Sequence, residues 1–191
     1  MIDTLKDWLG TFWKIIIAPT PRTFLAEAQK ADAKFASAVA WLVFCAVYLS
    51  ILSNFVVAPA SVISFITAVI VLPLAVVLFT SAMHFAYQRI AHRRQYLFDK
   101  MLYLTVSILV PLQFILIHVA LLLPAQIIAI LAFVLLLYQA VLLAVALKAI
   151  AKIEYWQALL SVLVSIIVAI MASGIVLLLL YSTVTGPGTP K

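Results

Sequence analysis

AQIIAILAFVLLLYQAVLLAVAL, residues 125–147, is a continuous apolar run with no charged side chain. At 1.5 Å per residue it makes a helix about 34 Å long, enough to cross a hydrocarbon core of about 30 Å. A backbone in lipid has no water to bond to, so only helices and closed barrels span it. The run lacks the alternation of barrel strands. One buried helix of this length sets the solvent for the whole chain.

Working outward, Pro124 precedes the run, and on its far side Met101–Leu123 is a second apolar stretch. Phe35–Val57, Ala60–Tyr87 and Trp156–Tyr181 complete a set of five. The chain is 68% hydrophobic and only 9% charged, against about a quarter charged in a soluble domain. The expected fold class is therefore all-α: a polytopic integral membrane protein with five transmembrane helices. Residues 1–34 form a cytoplasmic amphipathic region, 35–181 the membrane domain, and 182–191 a short flexible non-cytoplasmic tail. The second span, at about 28 residues, would measure roughly 42 Å as a straight helix; it has to tilt, bend or project from the bilayer. Pro73 and Pro111 fall inside spans, where each removes one backbone donor.

The cations sort by loop. Lys6, Lys14, Arg22, Lys30 and Lys34 precede the first span; Arg89, Arg93, Arg94 and Lys100 lie between the second and third; Lys148 and Lys152 lie between the fourth and fifth. The alternate connections around Ala58–Ala60 and Leu123–Pro124 carry no charge, and the tail carries only Lys191. The positive-inside rule then places the amino terminus in the cytoplasm and the carboxyl terminus outside it, in the cytoplasmic (inner) membrane. The net charge of +6 is accounted for by topology, so no nucleic acid partner is expected. The cytoplasmic basic loop of Arg89, Arg93, Arg94 and Lys100 is the surface best suited to anionic headgroups.

Before the first span, Leu5, Trp8, Leu9, Phe12, Trp13 and Ile16 recur at helical spacing. Asp3, Lys6, Asp7, Gly10, Thr11 and Lys14 take the other face. Such a helix lies in the membrane interface, where tryptophan meets both acyl chain and water; the alternative is docking against its own bundle or a partner. Thr20 is placed to cap a short helix that begins at Pro21. Phe24, Leu25 and Ala28 form that helix's apolar edge, and Glu27, Lys30, Asp32 and Lys34 are expected to face water. Ile15–Ala18 is too short for a signal-peptide core and is followed by Pro19 and Pro21, so the mature chain is expected to begin near Met1.

Trp13, the run Ile15–Ile17, and Pro21-Arg22-Thr23-Phe24, followed by a short polar helix and five spans, resemble the Yip1 family. Tyr96, Leu97 and Phe98, leading into a span that contains Pro111, are similar to the family pattern as well. The loop Ala91-His92-Arg93-Arg94-Gln95 departs from it where glycines are usual, and the long cytosolic extension of eukaryotic members is absent. The resemblance is to the short prokaryotic branch. For eukaryotic members it would imply roles in vesicle traffic and contact with prenylated Rab-type GTPases; for a short member it implies an integral membrane protein, and GTPase binding is not carried over.

Polar side chains inside spans carry a cost that each must offset. His84 falls near the cytoplasmic end and His118 near the outer end; with His92 they lie at different depths, so no metal site is expected. Gln113 and Gln139 fall near mid-bilayer on neighbouring antiparallel helices, where they would hydrogen-bond, with Tyr138 close enough to join. Ser161, Ser165, Ala169 and Ser173 form a small-residue face suited to close helix packing, within the chain or in a dimer. Cys45 stands alone and forms no internal disulfide. No carboxylate relay, phosphate loop, cofactor motif or nucleophile with a base is present, so no enzyme and no cofactor are expected. The leading expectation is a non-enzymatic organiser or scaffold for proteins or lipids, whose partners are the bilayer and a membrane protein or a second copy. The rivals are a small permease or channel with a path past Gln113, His118 and Gln139, and an accessory subunit of a membrane complex.

Overall fold

The computed structural model describes residues 2–30, 35–56, 62–92 and 95–184, with side chains over 6–30, 35–52, 69–92, 95–124 and 126–172. These residues form seven helices and no strand. They are α1 (Ile2–Ile17), α2 (Pro21–Ala28), α3 (Phe35–Val56), α4 (Val62–Ile90), α5 (Phe98–Ala120), α6 (Ala125–Ala151) and α7 (Tyr155–Val184). The helical class follows the sequence. α3 to α7 each contain a stretch long and apolar enough to cross a membrane.

The spans differ from their expected bounds at charged ends, for a local reason. α5 starts at Phe98 rather than Met101 because Asp99 occupies its first turn, where a carboxylate complements the helix dipole. α6 runs on to Ala151 with Lys148 in its last turn, the favourable place for a cation. Lys152 then turns the chain in the left-handed region (φ 51°), and its N–H bonds back to the Lys148 carbonyl at 2.9 Å. Pro124 N-caps α6. The Thr20 cap forms as expected: its hydroxyl accepts from the Thr23 N–H at 3.2 Å, with Pro21 opening the helix. Both α4 and α5 continue through their prolines.

The long helices close a ring in the order α3, α4, α7, α6, α5, and α4 also touches α5 across it. α5 further receives α1 and α2. Its residues Met101–Ile108 are accordingly buried without a break. One end of the bundle gathers the start of α3, the end of α4 and the start of α5. The Phe35 and Phe98 rings lie 6.3 Å apart there, and the Tyr87 hydroxyl donates to the Gln95 carbonyl. Lys148 stands 3.6 Å over the Tyr155 ring at the α6–α7 turn. α1 packs along α5, α2 packs along α6 and α5, and the end of α1 reaches Tyr138 at the middle of α6.

Close packing replaces the hydrophobic effect where helices meet in lipid, because a lipid tail is as apolar as leucine. On α7, Ser161 and Ser165 are fully buried and Ala169 half-buried. Each serine hydroxyl returns its proton to a carbonyl four residues back, at 2.7 and 2.6 Å. Ser161 and Ser165 are thus spent on packing within the chain; the Ser173 side chain lies outside the described residues.

Candidate functional site

The most articulated region is the pair α1–α2 lying on the bundle. Residues three and four apart share a helix face, and α1 divides into three sectors on that basis. Trp8, Thr11 and Ile15 are buried; Leu9, Trp13 and Ile17 are exposed; Asp7, Gly10 and Lys14 are exposed on the polar side. Trp8 is 8% exposed and Trp13 65%. Trp8 wedges between two rings, 4.9 Å from Trp41 of α3 and 5.0 Å from Tyr103 of α5. Phe12 and Ile16 are half-buried beside it, and the Leu5 side chain lies outside the described residues.

The apolar face expected as one surface is therefore two: Trp8 docks on the protein, while Trp13 and more than half of Leu9 stay exposed. Thr11, expected on the polar face, is 1% exposed, and Ile15 joins it as a buried contact that pattern reading did not single out. One signal was available. The apolar arc from Ile15 round to Ile17 covers about half the helix circumference, wider than the stripe of about 100° that one partner requires.

Glu27 corrects a second expectation. Instead of facing water it is 3% exposed. The Thr11 hydroxyl donates to Glu27 Oε2 at 2.7 Å, Lys30 pairs with the same oxygen, and Lys14 Nζ stands 3.7 Å from Oε1. Lys30 Nζ also donates to Thr11 Oγ1 at 2.8 Å. A buried carboxylate is tolerated when paired and bonded in this way. The cluster ties α1 to α2 with one cation in excess. Asp32 and Lys34 lie outside the described residues.

A third tie holds the end of α1. The Tyr138 hydroxyl, on α6, donates to the Ile16 carbonyl at 3.2 Å, one of the terminal carbonyls that helix geometry leaves without a partner. Between α1, α3 and α5 remains a cavity of about 270 Å³, lined by Trp8, Leu9, Phe12, Trp41, Phe44, Cys45, Val106, Val110, Pro111, Phe114 and Ile115. Its lining contains no charged residue.

The intramembrane polar residues are dispersed. Gln113 is exposed on α5, while Gln139 is buried on α6 with its Nε2 unpartnered. No hydrogen bond joins them among the described residues, because the two side chains face different surroundings. Tyr138 is taken by Ile16. His118 Nε2 meets the Tyr48 hydroxyl at 2.9 Å and its Nδ1 meets the Phe114 carbonyl at 2.7 Å. A ring nitrogen facing a carbonyl must donate, so Nε2 of the neutral ring accepts from tyrosine. His84 contacts Gln88, at 3.1 Å, and the Met101 sulfur, at 3.4 Å, within an aromatic surround of Tyr87, Tyr96 and Phe98. None of Gln113, His118 and Gln139 lines the cavity under α1. In the basic loop, Arg89 lies 5.0 Å over the Phe85 ring and Lys100 is exposed; Arg93 and Arg94 lie outside the described residues.

These features define a protein that is helical over its described residues, with five helices apolar enough to cross a membrane and a short helical pair docked against them. No protein-family model, no curated protein and no solved structure matches the chain.

Proposed function

We propose that this is a non-enzymatic, Yip1-like protein of the cytoplasmic membrane that organises proteins or lipids through the outward face of α1. The amino terminus is cytoplasmic on the charge asymmetry of the loops. One observation carries the reading: α1 is held through Trp8 on the bundle and Thr11 on α2, with Ile15 buried, yet keeps Leu9, Trp13 and Ile17 exposed. Three large apolar side chains at i, i+4 and i+8 on a helix already held by its opposite side are not needed to hold that helix. A contiguous exposed apolar surface edged by polar residues marks a membrane or protein contact.

Exposed Lys14 borders that sector, and it supplies a cation where lipid phosphates or an acidic partner would sit. The test is mass spectrometry of tagged protein extracted in a lipid-preserving scaffold, comparing the native chain with the triple variant Leu9→Ser, Trp13→Ser, Ile17→Ser. The variant is expected to insert normally and to lose co-purifying partners or enriched lipids. An unchanged complement of bound molecules counts against the proposal.

A further inference from the structure

We propose that the cavity between α1, α3 and α5 binds one acyl chain of a bilayer phospholipid. This rests on reading α3 to α7 as membrane-crossing helices with α1 packed against them, and it names the lipid contact of that same region. Its walls are Phe44 and Cys45 from α3, Val110 and Phe114 from α5, with Trp8 and Phe12 of α1 as the roof. A buried water needs two to four polar partners, and apart from the indoles of Trp8 and Trp41 and the Cys45 thiol the lining side chains are hydrocarbon. Empty space would forfeit dispersion contacts along every lining ring. Hydrocarbon is the filling that both conditions admit.

The shape agrees with a chain rather than a compact ligand. The α5 lining runs from Val106 to Ile115, nine steps of 1.5 Å or about 14 Å along the helix axis. That is about half the thickness of a hydrocarbon core of about 30 Å, centred on the middle of α5, a length that part of one extended acyl chain fills. Leu9, Phe44 and Ile115 are each both lining and exposed, so the cavity opens along its side to the surrounding lipid, with Leu9 at the α1 edge of that opening. Lys6, one turn earlier on the helix and exposed, stands beside that edge where a phosphodiester would emerge. A free fatty acid drawn fully inside would leave its carboxylate without a cation, at a large desolvation cost; a phospholipid keeps its head outside.

Trp8 and Trp41 line the cavity, whereas Trp13 and Trp156 are exposed, so tryptophan fluorescence reports occupancy directly. The full chain carrying Trp13→Phe and Trp156→Phe would be reconstituted into phosphatidylcholine–phosphatidylglycerol vesicles containing phosphatidylcholine dibrominated near the middle of one acyl chain. The remaining emission is expected to be quenched, and adding Val110→Phe, which fills the cavity, is expected to reduce that quenching at least twofold. Quenching unchanged by Val110→Phe comes from surrounding lipid and overturns the proposal. So does quenching by brominated free fatty acid but not by the phospholipid.

Because Val110→Phe risks misfolding, the native sequence would be tested in parallel with a phospholipid carrying a photoactivatable acyl chain. Adducts on Phe44, Cys45 or Val110 support the site. Adducts confined to Leu9, Trp13 and Ile17 would leave the lipid-facing role of α1 standing and overturn the cavity site alone. Absence of adducts at all of these positions overturns both.

Discussion

Glu27 draws its partners from two helices, and the arithmetic of a buried charge explains why. Removing one member of a buried, bonded ion pair leaves the other uncompensated, typically at a cost of 3–5 kcal/mol. Lys30 is half-exposed, so Glu27→Ala is expected at the low end, about 3 kcal/mol. The drop should appear as a lower melting temperature in detergent and faster hydrogen exchange over α1. Glu27→Leu combined with Lys30→Met should recover most of the loss, since well-packed apolar side chains often replace a buried pair without cost. Gln139 predicts the opposite sign. Its Nε2 is buried without a partner, so Gln139→Leu removes an unmet donor and should leave stability unchanged or raise it by about 1 kcal/mol. A clear loss in thermal unfolding would instead assign the amide a bonded partner. Neither environment is legible locally: Glu27 with Lys30 three residues on has the pattern of a solvated face, and only the approach of α1 buries it.

At the scale of the element, α1 separates two roles that one hydrophobic stripe would merge. Trp8→Ala removes the side chain wedged between Trp41 and Tyr103 and is expected to cost about 3 kcal/mol. Trp13→Ala, on the exposed sector, should stay within about 0.5 kcal/mol while weakening association with membrane or partner. Parallel melting curves for the two variants check the contrast, and equal destabilisation would place both tryptophans in the docking face. The periodicity of residues 5–17 announces an amphipathic helix; which apolar residues touch protein depends on the rotation of α1 about its axis. That rotation is set by Thr11 meeting Glu27 and by Tyr138 meeting the Ile16 carbonyl, partners that lie 16 and 122 residues away in the chain.

For the whole molecule, the ring of α3, α4, α7, α6 and α5 places the α4–α5 and α6–α7 connections at the same end as the start of α3. In a chain carrying Cys45→Ala, single cysteines at Gln95 and Lys152, both exposed at that end, should react with a membrane-impermeant thiol reagent only from the cytoplasmic side. A cysteine at Leu122, in the α5–α6 turn, should react only from the opposite side. Labelling of all three from one side would refute the alternating topology. The arrangement also explains the burial of α5: it neighbours α3, α4, α6, α1 and α2, although its composition differs little from that of the other spans.

Helix class, span number, the Thr20 cap and the Pro124 turn are determined by the sequence by itself, because each depends on residues within a turn or within one continuous run. Bilayer thickness, backbone hydrogen bonding and capping chemistry all act over that range. Tertiary structure alone decided that Glu27 is buried, that Gln113 and Gln139 remain apart, that Ser161 and Ser165 of α7 pack inside the chain, and that α1 leaves an apolar cavity beneath it. Those outcomes depend on helix rotation and neighbour order, and in a chain so uniformly apolar hydropathy does not distinguish a lipid-facing side chain from one packed against protein.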